Sequence, residues 1–144
     1  LPQFVSTMLL QEYFIPIKYG TYFIRDMRRI LTMHTVNVLN ISIRHVKANN
    51  DSLLSWSSHE CYAFVIYYEQ SKNKTLLNDA YVWTQQLIDK ALQYHGTYYL
   101  PYQLYATHKQ FYAAYPRHKE FQEIKKKYDP NCRFQNYFWQ KYWN

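Results

Sequence analysis

Glycine is scarce in this 144-residue chain, which has only Gly20 and Gly96. Loops that cradle a phosphate need several glycines, because the backbone must approach the ligand with no Cβ atom in the way. The two cysteines, Cys61 and Cys132, are too few for a disulfide framework and are expected to be free thiols. No apolar run reaches the roughly 18 residues needed to cross a bilayer. These shortages argue against a self-sufficient nucleotide-binding protein, a disulfide scaffold and a membrane-spanning protein.

The histidines are also poorly arranged for binding a metal. None has a second histidine four residues away, and no Cys-x-x-Cys pair accompanies them. They are His34, His45, His59, His95, His108 and His118. The sequence therefore predicts no metal site.

Aromatic side chains are in surplus, at 20% of the residues, and tyrosine alone occurs 17 times. Such a surplus indicates packing against something large or flat, which could be a ligand, a base or another domain. Hydrophobic content of 48% argues for a folded domain. The net charge of +7 permits an anionic partner but is equally compatible with an ordinary basic protein.

Residues 36–46 form the longest run of strand-favouring residues in the chain. Because side chains alternate faces along a strand, the run divides into two sets. One face carries the apolar residues Leu39, Ile41 and Ile43. The other carries Val38 and a polar row of Asn40, Ser42 and Arg44. The sequence therefore predicts a central strand with one face packed in the core and the other carrying polar side chains that could take part in chemistry.

The remaining pattern predicts an α+β fold. Strands are expected at 12–17, 36–46, 60–70 and 97–102, and helices at 21–34 and 76–95. Residues 1–11 are expected to be a lead-in segment, and 53–56 a single helical turn. The order strand, helix, strand, strand, helix, strand (βαββαβ) is that of a ferredoxin-like antiparallel sheet with both helices on one face.

A second region, residues 105–144, follows the predicted core of residues 1–104. Helices are expected at 107–115 and 118–128, followed by a very aromatic stretch at 134–143. We expect this helical segment to pack on the core or on another domain. Its exposed aromatic surface is also expected to favour self-association into a homo-oligomer.

The same element order is typical of RNA-recognition motifs, whose third strand carries stacking aromatics. Here Tyr62 and Phe64 match those positions, although Glu60 and Cys61 replace the usual basic residue and glycine. An acidic residue there opposes phosphate binding. A single-stranded RNA-binding module is therefore the alternative function.

Several segments together resemble the cap and C-terminal region of FAD-linked oxidases of the vanillyl-alcohol-oxidase type. Relatives include alditol and sugar oxidases and decaprenylphosphoryl-ribose oxidase. The resemblance runs from about residue 10 to the end. The matching segments are EYFIPI, VNVLNISIRHV, LLSW with FVIYYEQ, GTYYLPYQ, FYAAYPRHKEF and KKKYDPNCRFQNYFW.

This resemblance implies that residues 1–104 are a cap domain that covers the flavin. FAD would be bound mainly by an N-terminal domain outside this chain, which begins at Leu1 and is expected to belong to a longer, cytoplasmic protein. The implied substrate is a small-molecule alcohol, polyol or sugar, oxidised by hydride transfer to the flavin. No specific nucleic acid partner is expected on this reading.

The resemblance also indicates site residues. Arg44 falls where alditol and gulonolactone oxidases carry an active-site arginine, and it would stabilise a developing alkoxide or an anionic reduced flavin. Near Tyr102 several relatives have a lysine instead, so Tyr102 or His45 is the candidate base or substrate-orienting group. Further residues expected to bind the substrate are Asn40, Ser42, Tyr98 and Gln103.

Overall fold

The structure is a computed structural model that describes residues 6–143. The strands are β1 (Ser6–Pro16), β2 (Asn37–Val46), β3 (Cys61–Ser71) and β4 (Thr97–Tyr98). The helices are α1 (Gly20–Met33), α2 (Lys74–Gln93), α3 (His108–Ala114), α4 (His118–Tyr128) and α5 (Tyr137–Trp143). A short 3-10 helix, Ile17–Tyr19, links β1 to α1.

The sheet has the order β2-β3-β1-β4, and every neighbouring pair is antiparallel. Together with the βαββαβ element order, this confirms the predicted ferredoxin-like α+β fold with a helical C-terminal extension. Among residues 6–143, no helix is both long and apolar enough to cross a membrane.

The helix-covered face of the sheet forms the main core. Alternation directs one set of strand side chains toward α1 and α2, and each of these is fully buried: Tyr13, Ile15, Phe64, Ile66 and Tyr68. Each helix packs an apolar stripe against these side chains. The stripes consist of Phe23, Met27, Ile30 and Leu31 in α1 and of Ala80, Trp83, Leu87, Ile88 and Ala91 in α2. Burial of these stripes fixes which side of each strand faces outward.

The opposite, helix-free face carries a much smaller apolar cluster. Phe14, Cys61 and Ala63 are buried there, with Val46 and Tyr99 packed against them. The loop between β2 and β3 crosses one end of this face. It is attached there by a hydrogen bond of 2.6 Å from the Thr97 hydroxyl of β4 to the carbonyl of Trp56 in the loop. The helix-free face is therefore only partly covered.

A β-bulge corrects the predicted faces at the start of β2. Val38 pairs with Tyr68 and Asn40 with Tyr67, so Leu39 is an extra residue on β2. As a result, Val38 packs against the core and Leu39 is 48% exposed, the reverse of the prediction. Beyond the bulge, Asn40, Ser42 and Arg44 lie on the helix-free face, as the alternation predicted.

Two other predicted boundaries and one predicted element were wrong. The lead-in segment is largely strand, since β1 begins at Ser6 and pairs with β3 along its length; residues 1–5 lie outside the described part of the chain. Residues 53–56 form turns and bends rather than a helical turn. The last strand ends at Tyr98, and residues 100–102 form a turn and a bend.

The C-terminal segment packs on the ferredoxin-like core. Thr107 begins α3 with a capping box to Gln110. Phe111 and Tyr115 are buried in the same cluster as the sheet residues, and the ring of Tyr142 stacks on Phe111 at 4.2 Å. The connection between α4 and α5 and the adjoining ends of these helices carry the most exposed aromatics of the segment, namely Tyr128, Phe134 and Tyr137.

Candidate functional site

A cleft of about 470 Å³ opens on the helix-free face near the C-terminal end of β2. Its position follows from strand pairing: Arg44 lies beside Ala63 of β3, which in turn lies beside Phe14 of β1. Two strand spacings separate β2 from β1 by roughly 10 Å. Because Ala63 is small, the Arg44 side chain crosses β3 and brings Nη2 to 3.5 Å from Glu12 Oε1. A cation from one edge strand thus meets a carboxylate from the sheet interior.

Aromatic side chains form the other wall of this cleft. The Trp56 ring lies edge-on to Tyr99 at 5.5 Å and 5.8 Å from Phe14, and Tyr99 contacts Tyr102 at 5.0 Å. The cleft is lined by Glu12, Phe14, Arg44, His45, Val46, Trp56, Ala63, Tyr99 and Tyr102. Flat apolar rings beside a few polar groups are typical of sites that bind small polar molecules.

Glu12 forms the acidic part of the cleft, and its residue surface is only 8% exposed. Burial raises the pKa of this carboxyl above its ordinary range, although the nearby Arg44 charge and the Tyr102 hydroxyl act to lower it. Glu12 can therefore accept hydrogen bonds when ionised and can hold a proton more readily than an exposed glutamate.

Arg44 is the polar group of the cleft that is most accessible to solvent. Its side chain is 63% exposed, and the 3.5 Å contact with Glu12 is long for a charged hydrogen bond. Most of the guanidinium donors therefore remain open to a ligand or to another domain.

Tyr102 supplies a neutral hydroxyl to the same cleft. Burial and the neighbouring Glu12 charge raise the pKa of its phenol. A phenol that holds its proton more strongly is suited to donating a hydrogen bond, and less suited to acting as a base.

His45 lies at the rim of the cleft, but its ring does not join Glu12 and Arg44. It pairs with Tyr62 across the strands and lies 6.4 Å from that ring, with Nε2 2.6 Å from Glu60 Oε1. Strand alternation directs it away from the side on which Arg44 projects.

The four predicted substrate-binding residues lie outside this cleft. Asn40 and Ser42 lie on the same face of the sheet as the cleft, but they are exposed and closer to the start of β2. There the Asn40 amide donates a hydrogen bond to Ser42 Oγ at 3.4 Å. Gln103 accepts a hydrogen bond from Gln11 at 3.2 Å. Tyr98 is buried in the core, edge-on to Tyr115 at 5.8 Å, and burial raises the pKa of its phenol.

Alternation along the strand predicted at 97–102 would place Tyr98 and Tyr102 on one side and Tyr99 on the other, but the structure places Tyr102 with Tyr99. The reason is that strand geometry ends at Tyr98, so alternation does not extend through Pro101 to Tyr102.

The positions of Tyr62 and Phe64 do not support the alternative function, in which these two rings would stack on RNA bases. Phe64 has no exposed surface and packs at 5.1 Å on Phe23 of α1, and Tyr62 shares its side of β3. Stacking aromatics must be accessible to bases, and here they lie beneath the helices.

Sequence reasoning missed Glu12, Phe14, Trp56 and Tyr99. Glu12 did carry a signal, because a carboxylate stands in an otherwise apolar strand segment and shares its parity with Phe14. Trp56 carried none, since its place depends on how the β2–β3 loop folds over the sheet.

The two glycines bear on whether this chain could cradle a phosphate group. A Cβ atom on Gly96 would lie 2.4 Å from the Phe14 carbonyl oxygen, and one on Gly20 would lie 3.0 Å from the Tyr62 ring. Both glycines serve internal packing, so neither builds a cradle for a pyrophosphate. Within residues 6–143, no cluster of three or more metal-binding side chains occurs.

The family model described as D-arabinono-1,4-lactone oxidase matches residues 4–142, nearly the whole chain. A search of curated proteins found no significant match.

Proposed function

The chain belongs to the D-arabinono-1,4-lactone oxidase family, and from that premise we propose that it is the substrate-binding cap region of an FAD-dependent oxidoreductase acting on an alcohol, polyol or sugar. The observation that carries this proposal is the cleft in which Glu12, Arg44 and Tyr102 meet on the open face of the sheet. In an oxidase, such a face is suited to holding a hydroxylated substrate against a cofactor bound by another part of the protein.

Each polar group of the cleft has a distinct part in this proposal. Arg44 offers a permanent positive charge that favours a developing alkoxide over a neutral hydroxyl, which is an electrostatic contribution to the rate. Tyr102 donates a hydrogen bond that orients the substrate, and the ionised form of Glu12 accepts one. The rings of Phe14, Trp56 and Tyr99 exclude water from one side of the cleft.

FAD, when bound, supplies the hydride acceptor for this oxidation. The residues of this chain that would face it are Arg44 and Tyr102, both on the helix-free side of the sheet. The packing roles of Gly20 and Gly96 support the further proposal that residues outside this chain hold the pyrophosphate.

Replacing Arg44 tests the proposal directly. In the flavin-containing oxidase, we expect Arg44→Ala to slow flavin reduction by the substrate about a hundredfold or more, which corresponds to about 2.7–4 kcal/mol of lost electrostatic stabilisation. Single-turnover absorbance at the flavin band measures this rate. Arg28, an exposed arginine on α1 away from the cleft, provides the matched control Arg28→Ala.

An unchanged rate of flavin reduction in Arg44→Ala would show that Arg44 is only a solvent-exposed side chain at the edge of the sheet. A similar loss in both arginine variants would point instead to a general effect of charge.

The second expected outcome concerns cofactor binding by the 144-residue chain alone. We expect it to purify without bound FAD, because its own glycines provide no cradle for the pyrophosphate. Absorbance between the near ultraviolet and the blue measures flavin content after purification with added FAD. A stoichiometric yellow complex would show that the pyrophosphate site lies within these residues.

A further inference from the structure

Glu12 occupies a position in the cleft that neither the sequence nor the family match had assigned. Its side chain is 10% exposed and comes from β1, whereas the guanidinium that it meets belongs to an exposed arginine on β2. We propose that Glu12 positions Arg44 over the cleft and selects against anionic substrates. This inference rests on the function proposed above, and adds a determinant of specificity to the same site.

The geometry supports the positioning part. Arg44 has a long side chain that is 63% exposed, so the sheet alone restrains it little. Its contact with Glu12 Oε1 directs the guanidinium inward across Ala63, over the floor of the cleft. Without the carboxylate, the attraction that favours this position over others in solvent would be lost.

The charge balance supports the selectivity part. With Glu12 ionised, its charge and that of Arg44 cancel within the cleft, and Tyr102 is neutral because its phenol pKa is raised. At the rim, His45 Nε2 and Glu60 Oε1 form a hydrogen bond of 2.6 Å. Arg44 alone would attract a carboxylate or phosphate; ionised Glu12 beside it offsets that attraction, because like charges at a few ångströms disfavour binding.

The hydrogen-bonding inventory leads to the same ligand chemistry. Arg44 has only donors, Tyr102 donates its proton, and ionised Glu12 has only acceptors. A hydroxyl group can both donate and accept, so neighbouring hydroxyls satisfy all three residues. An anionic group only accepts, and would leave the Glu12 oxygens without a partner.

D-Glucitol and D-gluconate provide a matched pair of probes, since they share a carbon chain and differ at one end by a hydroxymethyl group and a carboxylate. Binding to the 144-residue chain is followed through NMR shifts of the Trp56 and Tyr102 side chains at constant ionic strength. We expect the unmodified chain to bind glucitol at least about tenfold more tightly than gluconate.

The decisive variant is Glu12→Gln, which keeps the size of the side chain and removes its charge. We expect the gluconate-to-glucitol affinity ratio to rise about tenfold, since the like charge is gone and Arg44 is no longer neutralised. Glu123→Gln removes an exposed carboxylate on α4, which does not line the cleft, and is expected to leave the ratio unchanged.

An unchanged ratio in Glu12→Gln overturns the inference, and so does the absence of any cleft shift with either probe in the unmodified chain. Should Glu12→Gln fail to fold, Arg44→Gln tests the same balance on an exposed side chain, and must weaken gluconate binding further. Neither readout involves flavin. A negative result here therefore does not affect the proposed function, which the Arg44→Ala measurement of flavin reduction tests separately. A negative result in that measurement would show that the proposed function itself is wrong.

Discussion

The two faces of the sheet are built from the same strands but differ in almost every property. Along β3, Phe64, Ile66 and Tyr68 are fully buried under the helices, whereas Tyr67 between them is 38% exposed on the other side. Along β1 and β3 the helix-covered face carries a buried, largely apolar core, whereas the helix-free face holds Glu12 and Arg44 around a cleft. Residue parity therefore separates the side chains that fold the chain from those available for chemistry.

The largest expected effect tests this separation with adjacent residues of β3. Ile66→Ala should lower the free energy of unfolding by about 2–5 kcal/mol, because it removes buried methyl groups and leaves a cavity. Val65→Ala, on the helix-free side, should cost about 1 kcal/mol or less. Urea denaturation followed by circular dichroism measures both values. Equal losses would mean that the helix-free face contributes to folding as much as the core does.

A smaller effect concerns the pH dependence of stability at Glu12. The pKa of this carboxyl is raised in the folded chain from an ordinary value of 4.5, mainly by burial. Below pH 4.5 it is protonated in both states. As the pH rises through 4.5 toward the folded pKa, the unfolded chain ionises more readily, so the free energy of unfolding falls.

Glu12→Gln removes this titration, and should therefore gain stability relative to the unmodified chain as the pH rises through that interval. Urea denaturation on both sides of pH 4.5 measures the difference. Glu123→Gln, at an exposed carboxylate on α4, is the control. A difference that shrinks with rising pH would contradict the assigned environment of Glu12.

The smallest expected effect is on RNA binding. The chain should bind single-stranded RNA only weakly and with strong salt dependence, through its net charge of +7. Tyr62→Ala should leave that affinity nearly unchanged, because Tyr62 lies on the helix-covered side, whereas a base-stacking tyrosine is worth about 1–3 kcal/mol. Fluorescence anisotropy with labelled oligonucleotides measures the change. A loss of that size would restore the helix-covered face as a binding surface.

The fold was largely predictable because its signals are local and periodic. The apolar residues of α1 and α2 recur at helical spacing, and residues 36–46 alternate as a strand does. The approach of Arg44 to Glu12 was not predictable, since it depends on a strand order that brings β3 between them and on the small side chain of Ala63.

The irregular stretch after Tyr98 shows a second limit. Alternation gave the wrong side for Tyr102 because it assumes a regular strand, and the chain leaves that geometry before Pro101. The positions of Trp56 and Tyr99 likewise depend on contacts between loops that are distant in sequence.

The extra residue at Leu39 acts as a change of phase within β2. Upstream of it, Val38 faces the core; downstream, Arg44 keeps the outward direction that opens it to the cleft. Faces in this strand must therefore be counted backward from Val46, and any comparison with relatives that lack the extra residue has to place a one-residue gap there. A single insertion or deletion at this point would invert one half of the strand while leaving its composition almost unchanged.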